Sequence, residues 1–315
     1  MARIVYFSPD PGEPSGGIEN IYKHVEILKN AKFDAVLLQS NLDSKPSWFS
    51  TEVIPQSADT SILDEDILVV PEGLGVWIRA LHSIRRKVIF NQGAYFSFSN
   101  GFDHRYHPSY IPYLDPSVVA TLVVSEDSKR YLEMLEPSHS IVCIPPSVNF
   151  NIFKPQTKKR SICYMSRRNE RQVTQVVTLL RLRGACRDWQ INCLEGLTRL
   201  EVAEELSQAA LFLSFATEEG FSLPLLEAIA CGAYIIGYRP MEYNELLREP
   251  FGNAIHFPNV REYVLCVEKF CKNWESNAWR VRWNHTSDLN RRFVRTTYSE
   301  IRSEQALVKF WGSIL

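Results

Sequence analysis

The chain reads as an α/β protein of two Rossmann-like, doubly wound lobes with a helical C-terminal tail, and three observations say so. Its 315 residues suit two domains at the usual ~100–200 residues each. In both halves short continuous apolar runs alternate with longer mixed segments, the pattern of parallel strands covered by helices on each face. Between the halves, Pro145–Arg160 breaks that alternation with prolines, a polar stretch and then Lys158, Lys159 and Arg160, as a linker would.

The elements follow in order. Arg3–Ser8 reads as a strand, a Pro/Gly/Ser loop follows, and Ile18–Asn30 reads as a helix, which is a βαβ opening. The runs Ala35–Leu38, Ile67–Val70, Val88–Phe90, Val118–Val124 and Ile141–Ile144 read as further buried strands. From Asn91 to Pro116 the chain is aromatic, polar and aperiodic, and a loop of that length is usually functional, so the acceptor side of a cleft is expected near it. The second half alternates strand Ser161–Met165, helix Glu170–Arg183, strand Gln190–Leu194, helix Arg199–Ser207, strand Leu211–Phe215, helix Pro224–Cys231 and strand Tyr234–Gly237. From Glu262 the chain reads as helical to its end, with Val308, Phe310, Trp311 and Leu315 giving the tail an apolar side that can dock on a lobe. The expected division is a first lobe over 1–155, a second lobe over 156–295 and a C-terminal helix over 296–315 that can dock back on the first.

Composition removes several classes of function. Lys and Arg number 35 against 36 Asp and Glu, so a formal net charge of -1 gives no global field for nucleic acid, and any anion site must be local. The seven cysteines form no CxxC pair, which argues for buried thiols in a reducing compartment rather than a zinc site. The apolar run Ile4–Phe7 is too short for a signal peptide, and Phe221–Tyr238 is broken by Pro224, Glu227 and Gly232, so neither reads as a secretion signal or a membrane span. The expected location is cytoplasmic, with membrane contact at most peripheral.

The most informative segment is Glu218–Ala228, which sits between two strands. Pro224 suits a first helical turn, so the loop ahead of it ends at a helix N-terminus. The amides of Gly220, Phe221, Ser222 and Leu223 would then point outward and, with the helix dipole, receive an anion such as diphosphate. Glu219 and Glu227 bracket that site at the mouth of one pocket. Carboxylates repel phosphate but accept hydrogen bonds from vicinal hydroxyls, which implies a sugar attached to the phosphates. The same residues would also stabilise the helix end electrostatically, by only ~0.3–1 kcal/mol.

Together these residues resemble a known family. Glu219 and Glu227 within EGFSLPLLEAIACG look like the donor-site motif of the retaining glycosyltransferases of family four, which have the GT-B fold. The resemblance continues through Ile144–Asn149, Phe153-Lys154-Pro155, Gly16-Gly17 and the strand and loop of Cys163–Arg171. It implies two lobes facing a cleft, Glu219 as the catalytic carboxylate beside the donor sugar, Glu227 on the ribose, and Arg167 with Arg171 on the diphosphate. Arg168 competes with Arg171 for the second phosphate, and planar guanidinium forks suit either assignment. Gly16 and Gly17 would let the first lobe approach the phosphates, and Leu197 would line the nucleobase pocket. The chain departs from the family at Phe90-Asn91-Gln92, where a histidine is usual. Asn91 and Gln92 can orient acceptor hydroxyls but cannot take a proton near neutral pH. His104 and His107 are candidate replacements, from the long loop.

The resulting expectation is a metal-independent enzyme of polysaccharide biosynthesis, needing no cofactor, that moves a hexosyl group with retention. The donor is a nucleotide diphosphate sugar, with UDP-sugar favoured over GDP-sugar, and the acceptor is a hydroxyl of a saccharide or lipid-linked saccharide. A sugar-nucleotide-binding partner subunit without activity and a GT-B epimerase are the alternatives. A nicotinamide enzyme is disfavoured because no GxGxxG follows a strand.

Overall fold

The computed structural model describes all residues except 1, 13, 100, 106, 108, 109 and 240–251. The chain divides into two compact units, Met1–Pro146 with Glu300–Leu315, and Ser147–Ser299. The division thus falls at 146, ahead of the expected 155, and the tail that joins the first unit starts at Glu300, not 296.

In the first unit, β1 (Ile4–Phe7), β2 (Ala35–Gln39), β3 (Gln56–Ser57), β4 (Ile67–Pro71), β5 (Lys87–Asn91), β6 (Val118–Val123) and β7 (Ser140–Cys143) form one parallel sheet in the order β3-β2-β1-β4-β5-β6-β7. The central strands are buried end to end, so they carry continuous apolar runs instead of an alternation. Helix α1 (Gly16–Asn30) starts two residues before the expected Ile18, because the Ser15 side chain accepts from Ile18 N and caps it there. Its buried residues Ile21, Tyr22, His24, Val25 and Leu28 recur at helical spacing and face the sheet. Helix α2 (Glu126–Glu133), absent from the sequence reading, is opened by Ser125, whose side chain accepts from Ser128 N. The aperiodic segment 91–116 holds short 3-10 turns at Ala94–Phe96 and Pro112–Leu114, and part of it lies outside the described residues.

In the second unit, β8 (Lys159–Tyr164), β9 (Gln190–Cys193), β10 (Ala209–Ser214), β11 (Tyr234–Tyr238) and β12 (Gly252–Ile255) form a parallel sheet in the order β12-β11-β10-β8-β9. Its helices are α3 (Glu170–Arg183), α4 (Arg199–Gln208), α5 (Leu223–Ala230), α6 (Val260–Asn273) and α7 (Asn277–Thr297). Strand β12 is invisible to propensity because it opens with Gly and Asn. Packing explains the glycine: a Cβ on Gly252 would stand 2.4 Å from the Ile235 carbonyl oxygen.

Helix α8 (Glu300–Ile314) closes the chain and packs on α1 in the first unit. Leu307 and Trp311 are fully buried there, each removing apolar surface that is worth ~1.5–3 kcal/mol for a large side chain. Trp311 meets Tyr6 edge-on at 6.3 Å, Lys23 pairs with Glu300 at 3.1 Å, and Arg86 donates to the Ile314 carbonyl at 2.9 Å. Among the described residues no helix is long and apolar enough to cross a membrane.

Candidate functional site

In a parallel α/β sheet the place for a ligand is the crevice beyond the carboxyl ends of two adjacent strands whose connections leave in opposite directions. The second unit has that point between β8 and β10, since β8 leads through α3 to β9 on one side while β10 lies on the other. The loops after both strands carry the residues singled out from the sequence.

Asn169 clips those two loops together. Its backbone is left-handed (φ 53°), a conformation asparagine tolerates, and its Nδ2 donates to the Phe215 carbonyl at 2.6 Å and to Thr217 Oγ1 at 3.1 Å. Ser166 Oγ donates to Glu195 Oε2, tying in the loop after β9 as well. Held this way, Arg168 Nε donates to Glu219 Oε1 at 3.0 Å. The pair is partly exposed, 44% for the arginine side chain and 22% for the glutamate, so it orients the two groups more than it stabilises the fold. Arg167 beside it is exposed, and Arg171 is exposed in the first turn of α3.

Helix α5 begins at Leu223 with Pro224 in its first turn, and the Ser222 side chain makes no capping bond. Gly220 is buried, and the Phe221 ring packs on Tyr298 at 5.1 Å, which fixes the loop ahead of the helix. Leu197 and Phe221 are half-buried against the same apolar cluster, and Gly196 before Leu197 turns the chain at φ 76°.

Glu227 departs from its expected place at an open pocket mouth. It is only 4% exposed, and its Oε1 forms an ion pair with Arg199 Nη2 at 3.1 Å. Arg199 is the first residue of α4, inside the capping box of Thr198 and Glu201, and its guanidinium lies over the Phe153 ring at 5.0 Å. A buried carboxylate requires a cation, and that requirement was the available signal for Arg199, which the sequence reading missed along with Asn169.

In the first unit the corresponding point lies between β1 and β4. Gly16 and Gly17 are the first residues of α1, which leaves the end of β1. Gln92, just past β5, donates from Nε2 to the Gly17 carbonyl at 2.9 Å and accepts from Asn20 Nδ2 at 3.1 Å, so its amide fastens the start of α1. Asn91 is fully buried, donates to Ser97 Oγ and Tyr113 OH, each at 2.7 Å, and accepts from Gly93 N at 3.1 Å. Its side chain therefore shapes the turn after β5 from within. His104 is 92% exposed beside Asp103 at 3.6 Å, and His107 is exposed as well. Among the described residues no group of three or more His, Cys, Asp and Glu side chains is arranged to hold a metal ion.

No protein-family model matches the chain. It is 27% identical over 304 residues to an alpha-1,6-glucosyltransferase of Actinobacillus pleuropneumoniae serotype 7, covering 92% of this chain and 89% of that one. Its fold matches sucrose-phosphate synthase (tll1590) from Thermosynechococcus elongatus at a TM-score of 0.73 and 11% identity, covering 100% of this chain and 99% of the synthase. It also matches the pneumococcal O-GlcNAc transferase GtfA, solved with UDP and GlcNAc, at a TM-score of 0.64 and 12% identity over 99% and 98% of the two chains. The architecture is thus the GT-B fold of two Rossmann-like domains.

Proposed function

We propose that the chain is a glycosyltransferase that moves a hexosyl group from a nucleotide diphosphate sugar, a UDP-sugar, to a hydroxyl of a saccharide or lipid-linked saccharide, with retention. The observation that carries this reading is the arrangement at the end of β10: Glu219 is held by Arg168 at the strand crevice, ahead of a helix N-terminus that no side chain caps. The likeness to a glucosyltransferase along nearly the whole chain supports it.

In this reading the arginines and the first-turn amides of α5 receive the diphosphate and stabilise the charge that develops on it as the glycosidic bond breaks. Guanidinium forks and backbone N–H groups are fixed before the reaction and need no reorganisation during it. Glu219 accepts hydrogen bonds from the donor sugar and counters positive charge developing at its anomeric carbon. Glu227 accepts from the ribose once Arg199 shares it. The departing phosphate oxygen takes the acceptor's proton on the face it leaves, so a histidine after β5 is not needed.

The test is release of UDP from UDP-glucose, with product anomers resolved by NMR. An α-linked product from the α-linked donor supports the reading. UDP-glucose that binds but is never consumed identifies a non-catalytic binding subunit, and isomerisation of the sugar identifies an epimerase.

A further inference from the structure

The first unit carries a titratable group that the reading above leaves unused. Glu72 follows β4 directly. Pro71 is in register with Phe90 of β5, so Glu72 lies level with Asn91, on a strand that borders β1 at the first unit's own switch point. Its carboxylate reaches over the turn after β5: Oε1 is 3.6 Å from where a Cβ of Gly93 would stand, and that same Cβ would meet Phe96 at 3.0 Å. The absence of a side chain at Gly93 lets the Glu72 carboxylate and the Phe96 ring close over that turn.

The neighbouring amides are committed elsewhere, Gln92 to Gly17 and Asn20, Asn91 to Ser97, Tyr113 and Gly93. Glu72 is half-buried, and among the described residues no basic side chain pairs with it. Burial pushes its carboxyl up to about 7, against the main-chain N–H groups of Gln92, Gly93 and Glu72 itself, which hold it down. The elements packed against its turn bring few other charges. Arg79, at the far end of the same turn, pairs with Asp115 at 3.7 Å; Lys87 lies at the opposite end of β5; and burial pushes the Tyr113 hydroxyl up, so it stays neutral. A half-buried carboxyl that main-chain N–H groups orient but no described cation neutralises, at the carboxyl edge of a parallel sheet, is a preset acceptor for a hydroxyl.

We propose that Glu72 is the residue by which the first unit binds the acceptor, its carboxylate accepting a hydrogen bond from an acceptor hydroxyl. This rests on the glycosyltransferase reading and adds to it the group that recognises the second substrate. A hydroxyl donates more strongly to a carboxylate than to a carboxylic acid. The sign of the pH effect follows: Glu72 is ionised and competent above about 7 and protonated below it. The apparent acceptor affinity scales with the ionised fraction, so it falls about tenfold between about pH 8 and pH 6.

The experiment measures UDP release from UDP-glucose across that pH range, with methyl α-glucoside as the acceptor probe and calorimetric titration of UDP alongside. In the wild-type chain the KM for methyl α-glucoside is expected to rise about tenfold toward pH 6. Glu72→Gln is expected to raise that KM about tenfold at pH 8 and to flatten its pH dependence, while UDP binding stays within about twofold. Glu72→Asp, which keeps the charge, is expected to keep the slope. A Glu72→Gln protein with wild-type acceptor KM and slope overturns the proposal, as does a wild-type protein whose UDP release methyl α-glucoside does not change. Failure of the glycosyltransferase reading looks different, because the wild-type chain then releases no UDP under any condition.

Discussion

The two units share a plan, a parallel sheet with a switch point, yet they furnish its carboxyl edge with opposite chemistry. In the second unit Arg167, Arg168 and Arg199 stand with Glu219 and Glu227, and two of these arginines are paired to carboxylates. In the first unit the described residues at the corresponding edge include Gly16, Gly17, the amides of Asn20, Asn91 and Gln92 and the carboxyl of Glu72, with Gln92 spent on holding the start of α1. One edge can neutralise several negative charges. The amides of the other are suited to orient hydroxyls. In the proposed reading a single topology would serve a polyanionic ligand and a neutral polyol by changing a handful of loop residues, because the strands fix where the loops end and not what they carry.

The largest effect expected to test this contrast is at Glu219. Glu219→Gln keeps the shape and loses the charge that the proposed reading sets beside the transferred sugar, so kcat should fall by about 10²–10³-fold with a smaller change in donor KM. Steady-state kinetics on folded protein decide it, and full activity removes Glu219 from the site.

Arg199→Ala comes next. It removes the guanidinium 3.1 Å from Glu227, a carboxylate 4% exposed, and should cost about 3 kcal/mol of stability in the second unit, the low end for a broken buried pair. A chemical denaturation curve reads this directly. Glu227→Ala removes the buried charge along with the proposed ribose contact, so its donor KM should rise while kcat at saturation survives. Equal losses in kcat and KM would merge the roles of the two glutamates.

The arginine edge and the amide edge should then separate in nucleotide binding. Arg167→Ala and Arg168→Ala are each expected to weaken UDP by about 10- to 100-fold, the range of a charge-assisted hydrogen bond. Gln92→Ala should leave UDP binding within about threefold. Titration calorimetry on the three variants breaks the comparison if Gln92 matters as much as the arginines.

The smallest effects concern Gly17 and metal. A Cβ at Gly17 would meet Gln92 Nε2 at 3.4 Å, an ordinary contact, so Gly17→Ala should shift stability by less than about 1 kcal/mol. A loss of activity without loss of melting temperature would then show that a ligand needs the close approach. If cations and helix amides alone neutralise the diphosphate, prior chelation with EDTA should leave the rate of UDP release unchanged.

Much of this was legible before any coordinates. The apolar runs located the central strands of both sheets, because a strand buried on both faces must be apolar throughout. The Glu-Gly-Phe-Ser-Leu-Pro segment announced a helix start after a strand, and α5 begins there. Short or edge elements escaped. β3 has two residues, β12 begins with Gly252, and α2 is mostly polar, so none has the length or periodicity that a pattern can detect.

What the sequence determined by itself was therefore the layered α/β plan and the residues gathered in contiguous loops, since hydrophobic period and helix-start chemistry are local properties. Which groups meet was decided only by the tertiary structure. Arg199 lies 28 positions before Glu227, Arg168 lies 51 before Glu219, and Gln92 lies 75 beyond Gly17, yet each pair is in direct polar contact. The same holds for Glu72, an ordinary carboxylate in the sequence until burial at the edge of β4 brings its titration up to about 7. Pairing and burial depend on which strands become neighbours, and strand order is a property of the folded sheet that no local stretch of residues encodes.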